Sequence, residues 1–160
     1  MPAPITITPA TPDDVPAILA MIRELAEYEK LLDRVTATEE MLDRSLFGPR
    51  PHAEVLMGRL DGNTVGYALF FHSFSTFLAR PGIYLEDVYV RPAARGRGVG
   101  KALLRAVARV ARDRDCGRIE WSVLDWNKPS IDFYLSLGAR PLDEWTMFRL
   151  DELGIANLAR

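Results

Sequence analysis

At 160 residues and 18.0 kDa the chain has the length of one domain and leaves little room for a second core, which argues against a multidomain enzyme. Its 48% hydrophobic and 26% charged residues suffice to bury a core and exclude a disordered or membrane-like composition. The net charge of −2 conceals a local bias: Asp13 to Ser45 holds nine acids against four bases, net −5, whereas Arg91 to Arg114 holds eight bases against Asp113 alone, net +7.

Ile5 and Ile7 alternating with Thr6 and Thr8 predict a first strand. Thr11-Pro12-Asp13-Asp14 has the chemistry of a helix start. Val15, Ile18, Leu19, Ile22, Leu25 and Ala26 then recur at three- and four-residue spacing down to Tyr28, with the acids on the other face. A weaker helix is expected from Thr38 to Phe47, stopped by Gly48-Pro49. Glu54 to Leu60 and Val65 to Phe71 are β-rich runs joined by Asp61-Gly62-Asn63, a hairpin turn signal that tolerates positive φ. Gly82 to Val90 is a further strand, ended by Arg91-Pro92. A long helix follows from Gly98 to about Asp115, burying Val99, Leu103, Ala106, Val107 and Val110. Ile119, Trp121 and Val123 alternate with Glu120 and Ser122 as a strand. Asn127-Lys128-Pro129-Ser130 opens a helix through Ile131, Phe133, Tyr134 and Leu137 to a stop at Gly138, and Trp145 to Leu150 reads as a last strand. No repeat or linker interrupts this order. The expected fold is a mixed α/β (α+β) sheet with helices packed on it, in one domain over residues 1–160.

Cys116 is the only cysteine, which excludes an internal disulfide and a cysteine-built zinc cage; His52 and His72 carry no motif, so no metal is expected. No apolar run reaches the roughly 18–20 residues of a membrane span, and the start lacks a basic region followed by an apolar one. The reduced cytoplasm is the expected location, with no membrane partner. A pI of about 5.7 and the buried spacing along the basic helix speak against nucleic acid as a partner.

The stretch that carries chemistry is Leu85-Glu86-Asp87-Val88-Tyr89-Val90-Arg91-Pro92-Ala93-Ala94-Arg95-Gly96-Arg97-Gly98-Val99-Gly100, a strand, a glycine turn and a helix. Glycines let backbone approach a ligand, and the first N–H groups of a helix are unpaired donors at the positive end of its dipole, so the turn suits an anion. A Walker loop would need glycine at Arg95 and Ser or Thr at Ala102, and is excluded. The dinucleotide fingerprint would need its last glycine at Lys101 or Leu103.

The pattern R-x-x-G-x-G at Arg95, Gly98 and Gly100 resembles the pyrophosphate-binding turn of the GNAT superfamily of N-acetyltransferases. Four further blocks resemble its diamine (spermidine/spermine) and thialysine acetyltransferase branch: Arg23 to Glu29, Tyr84 to Val90, Leu124-Asp125-Trp126-Asn127, and Ser130 to Tyr134 with Leu137-Gly138-Ala139. The resemblance covers nearly the whole chain. It implies a GNAT fold, a central and mostly antiparallel sheet splayed around an acetyl-CoA cleft with helices on both faces. It also implies acetyl-CoA as co-substrate and a homodimer. On this resemblance, backbone donors of Arg95, Gly96, Arg97, Gly98, Val99, Gly100 and Lys101 hold the pyrophosphate, and Val88 and Val90 pair strand-fashion with the pantetheine arm. Arg95 and Arg97 add charge-assisted contacts, and Asn127 caps its helix and touches the cofactor.

Transfer to an amine needs a neutral nitrogen, and an alkylamine of pKa near 10.4 is protonated at neutral pH. Glu86 matches the family's candidate base, acting directly or through water; its alternative role is to attract or pair with a cation. Tyr134, a phenol, is the candidate acid for the leaving sulfur, and its alternative is packing on the sheet. Glu29, Glu86 and Asp87 match acidic positions of the diamine branch, so the resemblance implies an acceptor site in which these acids concentrate a cation and Tyr28 stacks on an ammonium. The branch's diamine members carry aspartate where Thr76 stands here, so thialysine or a shorter amine is as well matched as spermidine. The function expected is direct acetyl transfer to a primary amine of a small cationic substrate. Its rivals are a protein lysine or N-terminal acetyltransferase and a non-catalytic acyl-CoA sensor.

Overall fold

Strands cross the sheet in the order in which the chain makes them, so each new strand pairs with the one just formed. A computed structural model describes residues 2–160, which divide into two units, 2–122 and 123–160. In the larger unit, β1 (Ile5–Pro9), β2 (Glu54–Leu60), β3 (Asn63–Ser75) and β4 (Arg80–Val90) are antiparallel neighbours, and β5 (Ile119–Glu120) lies parallel to β4. Helices α1 (Val15–Tyr28) and α2 (Glu39–Phe47) connect β1 to β2, and α3 (Val99–Asp113) makes the crossover from β4 to β5. Asp61 and Gly62, at φ 52° and 79°, close the β2–β3 hairpin as its turn chemistry predicts.

Local signals explain the helix ends. The Asp14 carboxylate accepts from the Thr11 backbone N–H at 2.9 Å, and the Thr38 hydroxyl accepts from the Met41 N–H at 3.2 Å. The apolar residues of the strands divide between two faces. On one, Leu56, Phe70, Ile83 and Leu85 pack with Val99, Leu103 and Val107 of α3; on the other, Val55, Met57, Tyr67 and Tyr89 pack with Ile18 and Met21 of α1 and Leu46 of α2. Helices therefore cover both faces of the five-stranded mixed sheet.

Two features of the ladders shape the larger unit. Cross-strand partners Gly58 and Gly66 lie under the start of α3, and a Cβ on Gly66 would stand 2.6 Å from the Tyr89 carbonyl oxygen and 3.3 Å from Leu103 Cδ1. Glycine here lets α3 begin close against the sheet. In the β3–β4 ladder, Leu69 pairs with Asp87 and Phe70 with Leu85, so Glu86 is an extra residue, a bulge.

The smaller unit carries α4 (Lys128–Ser136) and α5 (Glu152–Leu158). Gly138, at φ 88°, follows α4 as expected. Two expectations need correction, and one element is new. The strand over Ile119 to Val123 is confined to Ile119 and Glu120, the two residues with partners on β4. Trp145 to Leu150 forms no strand: alternation marks a candidate face, but a strand also needs a hydrogen-bonded ladder, and these residues belong to none. Helix α5, capped by the Asp151 carboxylate accepting from the Gly154 N–H at 2.9 Å, was not expected.

Gly66→Ala sets a methyl against backbone that cannot yield. It should cost about 1–3 kcal/mol of stability, read as a lower urea midpoint at an unchanged m-value.

Candidate active site

The bulge at Glu86 shifts the in–out alternation of β4 by one. Ile83 and Leu85 before it, and Val88 and Val90 after it, all pack against the α3 cluster, which leaves Asp87 and Tyr89 on the α1 face. There the Tyr67 hydroxyl, at the end of a fully buried side chain, donates to Asp87 Oδ2 at 2.9 Å. Burial is the largest influence on Asp87 and raises its pKa; the Tyr67 hydrogen bond lowers it, the charges of Glu86 and Glu29 raise it, and the outcome is about 6. Burial also raises Glu29, which follows the end of α1. Tyr67 is pushed well above the ordinary phenol range, first by burial and then by the Asp87 charge, so it stays a hydrogen-bond donor. Glu29, Glu86 and Asp87 thus share one electrostatic neighbourhood, with Glu86 exposed on the bulge.

At the C-terminal end of β4 the chain enters the glycine turn. Gly96 and Gly98 have φ 76° and 91°, in the left-handed region that glycine alone adopts without strain. At Gly98, then, backbone conformation is reason enough for glycine. The N–H groups of Val99, Gly100 and Lys101 open α3 and have no acceptor within the helix, and no acid in the first turn offsets the dipole. Val99 is buried in the α3 core and can offer a ligand only main chain, and Val88 and Val90 are half-buried against it. From Leu85 to Val90 the edge of β4 away from β3 has no strand beside it among the described residues, since pairing with β5 involves only Ile83 and Tyr84. Arg95 folds back on this edge: its Nε donates to the Val90 carbonyl at 2.8 Å, and its guanidinium lies 5.2 Å from the Tyr28 ring centre and 5.7 Å from that of Tyr89. The Tyr28 ring, expected to face a substrate ammonium, faces an arginine of the turn. Arg97 and Lys101 are exposed. The ion pair of Arg91 Nε with Glu24 Oε2, 3.1 Å, and the bond from Arg91 to the Thr64 carbonyl, 3.1 Å, tie α1 to this end of the sheet.

Two predicted site residues belong to the smaller unit. Asn127 is buried and caps α4, accepting from the Ser130 N–H at 3.4 Å, as its place before Lys128-Pro129 predicts. Tyr134 is half-buried on α4, with its ring centre 5.9 Å from that of Phe133. The larger unit brings together the turn, the β4 edge, Tyr28 and the three acids. Tyr67 was missed by the sequence reading: a tyrosine in an apolar strand reads as core, and its link to Asp87 depends on a bulge that no local signal marks. Among the described residues no group of three His, Cys, Asp or Glu can hold a metal ion, and no helix is long and apolar enough to cross a membrane.

A strand feeding a glycine turn whose unpaired amides open a helix, beside a cluster of acids, sets an anion-suited and a cation-suited surface in one unit. The acetyltransferase (GNAT) family model matches residues 19–139. The chain is 44% identical over 168 residues to a thialysine N-epsilon-acetyltransferase of Sus scrofa, covering 98% of each, and 39% identical to that of Mus musculus, covering 96% of each. Among solved structures, an integron cassette protein from the mobile metagenome of V. cholerae shares the fold, with a TM-score of 0.81, 24% identity and 98% of each chain covered. The chain belongs to the acetyltransferase (GNAT) family and is an N-acetyltransferase.

The family's co-substrate is acetyl-CoA, and the turn fits its diphosphate. A Cβ on Gly100 would meet only Val90 Cγ2, at an ordinary 3.7 Å, and the residue is helical, so nothing in the chain itself requires glycine there. Alanine, the better helix former, would fit this position of the first turn.

Asp87 generates a prediction about stability. Its folded pKa of about 6 lies above the reference value of 3.8, so its charge opposes folding fully above pH 6, and the penalty is relieved as pH falls toward 4. Asp87→Asn should therefore raise the unfolding free energy at pH 8 by about 1–2 kcal/mol, with the gain vanishing near pH 4. Urea titrations at the two pH values check it.

Proposed function

We propose that the chain transfers acetyl directly from acetyl-CoA to the primary amine of a small cationic substrate, a lysine-like amino acid such as thialysine or a short diamine. The observation that carries this reading is the juxtaposition, within one unit, of an anion-binding helix start and the acidic neighbourhood of Glu29, Glu86 and Asp87. The named relatives support the substrate class: besides the thialysine enzymes, an Arabidopsis thaliana L-ornithine N5-acetyltransferase is 33% identical, covering 88% of this chain. The family match runs through both units, which supports one catalytic domain over residues 1–160.

In this reading the amides of Arg95 to Lys101 hold the diphosphate, with Arg95 and Arg97 adding charge and the exposed edge of β4 at Val88 and Val90 receiving the pantetheine arm. Asn127 supports the cofactor from the cap of α4. Acetyl-CoA supplies the activated acetyl thioester. Glu29 and Asp87 draw in the ammonium and Tyr28 lines its path. Glu86, exposed on the bulge, accepts its proton directly or through one water, which leaves a neutral nitrogen able to attack. The Tyr134 hydroxyl gives a proton to the departing sulfur. The enzyme works in the cytoplasm as a homodimer. Support for the dimer comes from Trp145, Met147 and Phe148, large apolar side chains left exposed on a segment with the sequence pattern of a strand.

A thiol-release assay with acetyl-CoA and a panel of thialysine, lysine, ornithine, diamines, polyamines and peptides tests the reading. Small amines should be acetylated and peptides not. Tyr134→Phe should lower kcat by about 100-fold with acetyl-CoA affinity unchanged. Gly100→Ala should weaken acetyl-CoA binding by about tenfold or more while leaving Tm unchanged or higher, since alanine is the better helix former. Acetylation of peptides alone would favour the protein-directed rival, and tight acetyl-CoA binding without transfer to any acceptor would favour a sensor.

A further inference from the structure

Tyr67 is the largest fully buried side chain whose polar atom the catalytic scheme does not use. Phenylalanine would fill the same space without taking a hydroxyl out of water. The fold alone does not account for the choice, because the hydroxyl's partner is itself a burden: Asp87 is a carboxylate whose largest perturbation is burial. Geometry shows what the hydroxyl achieves. Tyr67 lies directly across from Tyr89 in the ladder, and Asp87 stands two residues earlier on β4, so the phenol reaches it along the diagonal from the core side. Asp87 is only partly buried, so the residue keeps some surface in contact with solvent while Tyr67 holds Oδ2 from the core side. The ionisable groups that act on Asp87 are Tyr67 from β3, Glu86 beside it on β4 and Glu29 after α1; of these only Tyr67 favours the carboxylate.

We propose that Tyr67 is a positioning residue for the acceptor amine: its hydroxyl fixes Oδ2 of Asp87, so that Oδ1 is presented to the substrate ammonium. The inference rests on the acceptor reading above and adds the residue that makes the acidic wall a defined subsite. Without the phenol, Asp87 faces two like charges and a desolvated site, and it either protonates or turns away. With it, Asp87 keeps one orientation and stays charged at neutral pH.

The test is Tyr67→Phe in the full-length enzyme. At pH 7 the KM for the amine should rise about tenfold, as for loss of a hydrogen bond to a charged group, with kcat and the KM for acetyl-CoA changed by less than about twofold. The acid limb of kcat/KM for the amine should move up by about one pH unit, because removing a donor to the charged form raises the Asp87 pKa. Carbon-13 NMR of the Asp87 carboxyl, without substrate, should show the same upward shift, a readout that lost packing alone does not produce. If Tyr67→Phe does not fold, 3-fluorotyrosine placed at position 67 keeps the ring, is the stronger donor, and should move the limb to lower pH. Absence of transfer to any small amine by the wild-type enzyme would sink the acceptor reading. Transfer by the wild type, with the amine KM and acid limb unchanged in a folded Tyr67→Phe, would overturn this inference alone.

Discussion

One inserted residue, Glu86, sets the chemistry of β4. A strand of strict alternation would carry Ile83, Leu85, Asp87 and Tyr89 on a single face. The bulge reverses that order midway, so Val88 and Val90 continue the packing surface under α3, while Asp87 joins Tyr67 and Tyr89 on the face covered by α1. A carboxylate is thereby driven into a partly desolvated site that the apolar pattern reserves for core. The same strand delivers the chain to the glycine turn, so one element positions both halves of the candidate site.

The two halves have opposite electrostatic character, and each is made differently. The anion half is built from main chain: the amides of Val99, Gly100 and Lys101 are fixed by helix geometry and need no side-chain ordering to bind. The cation half is built from side chains held near one another against repulsion. Burial raises the pKa of both Glu29 and Asp87; at Asp87 the charges of Glu86 and Glu29 add to the rise, and the Tyr67 hydrogen bond opposes it. Stability is spent at Asp87, a place where a chain selected for folding alone would hold another residue. Arg95 bridges the halves, lying over Tyr28 and Tyr89 while bonded to the Val90 carbonyl.

Most of the architecture was legible in the order of residues. The capping chemistry at Thr11 and Thr38, the Asp61-Gly62 hairpin, and the apolar stripe of Val99, Leu103 and Val107 each act over one or two turns of chain, and they lie where local rules put them. Trp145 to Leu150 shows the limit of such rules. Its pattern is that of a strand, but a strand is a relation between two edges, and the pattern carries only one of them.

The sequence by itself determined the glycine turn before a long basic helix, the family that this turn and its companion blocks resemble, and the residue types of the acidic wall. These are set by neighbours along the chain, and short-range sterics and hydrogen bonding decide them. Only the tertiary structure decided that Glu86 is an inserted residue, that α3 lies close over Gly58 and Gly66, and that a buried phenol holds Asp87. Each depends on register between strands or on contact between residues far apart in the chain: Tyr67 and Asp87 are twenty positions apart, and nothing in either segment alone specifies the other's register.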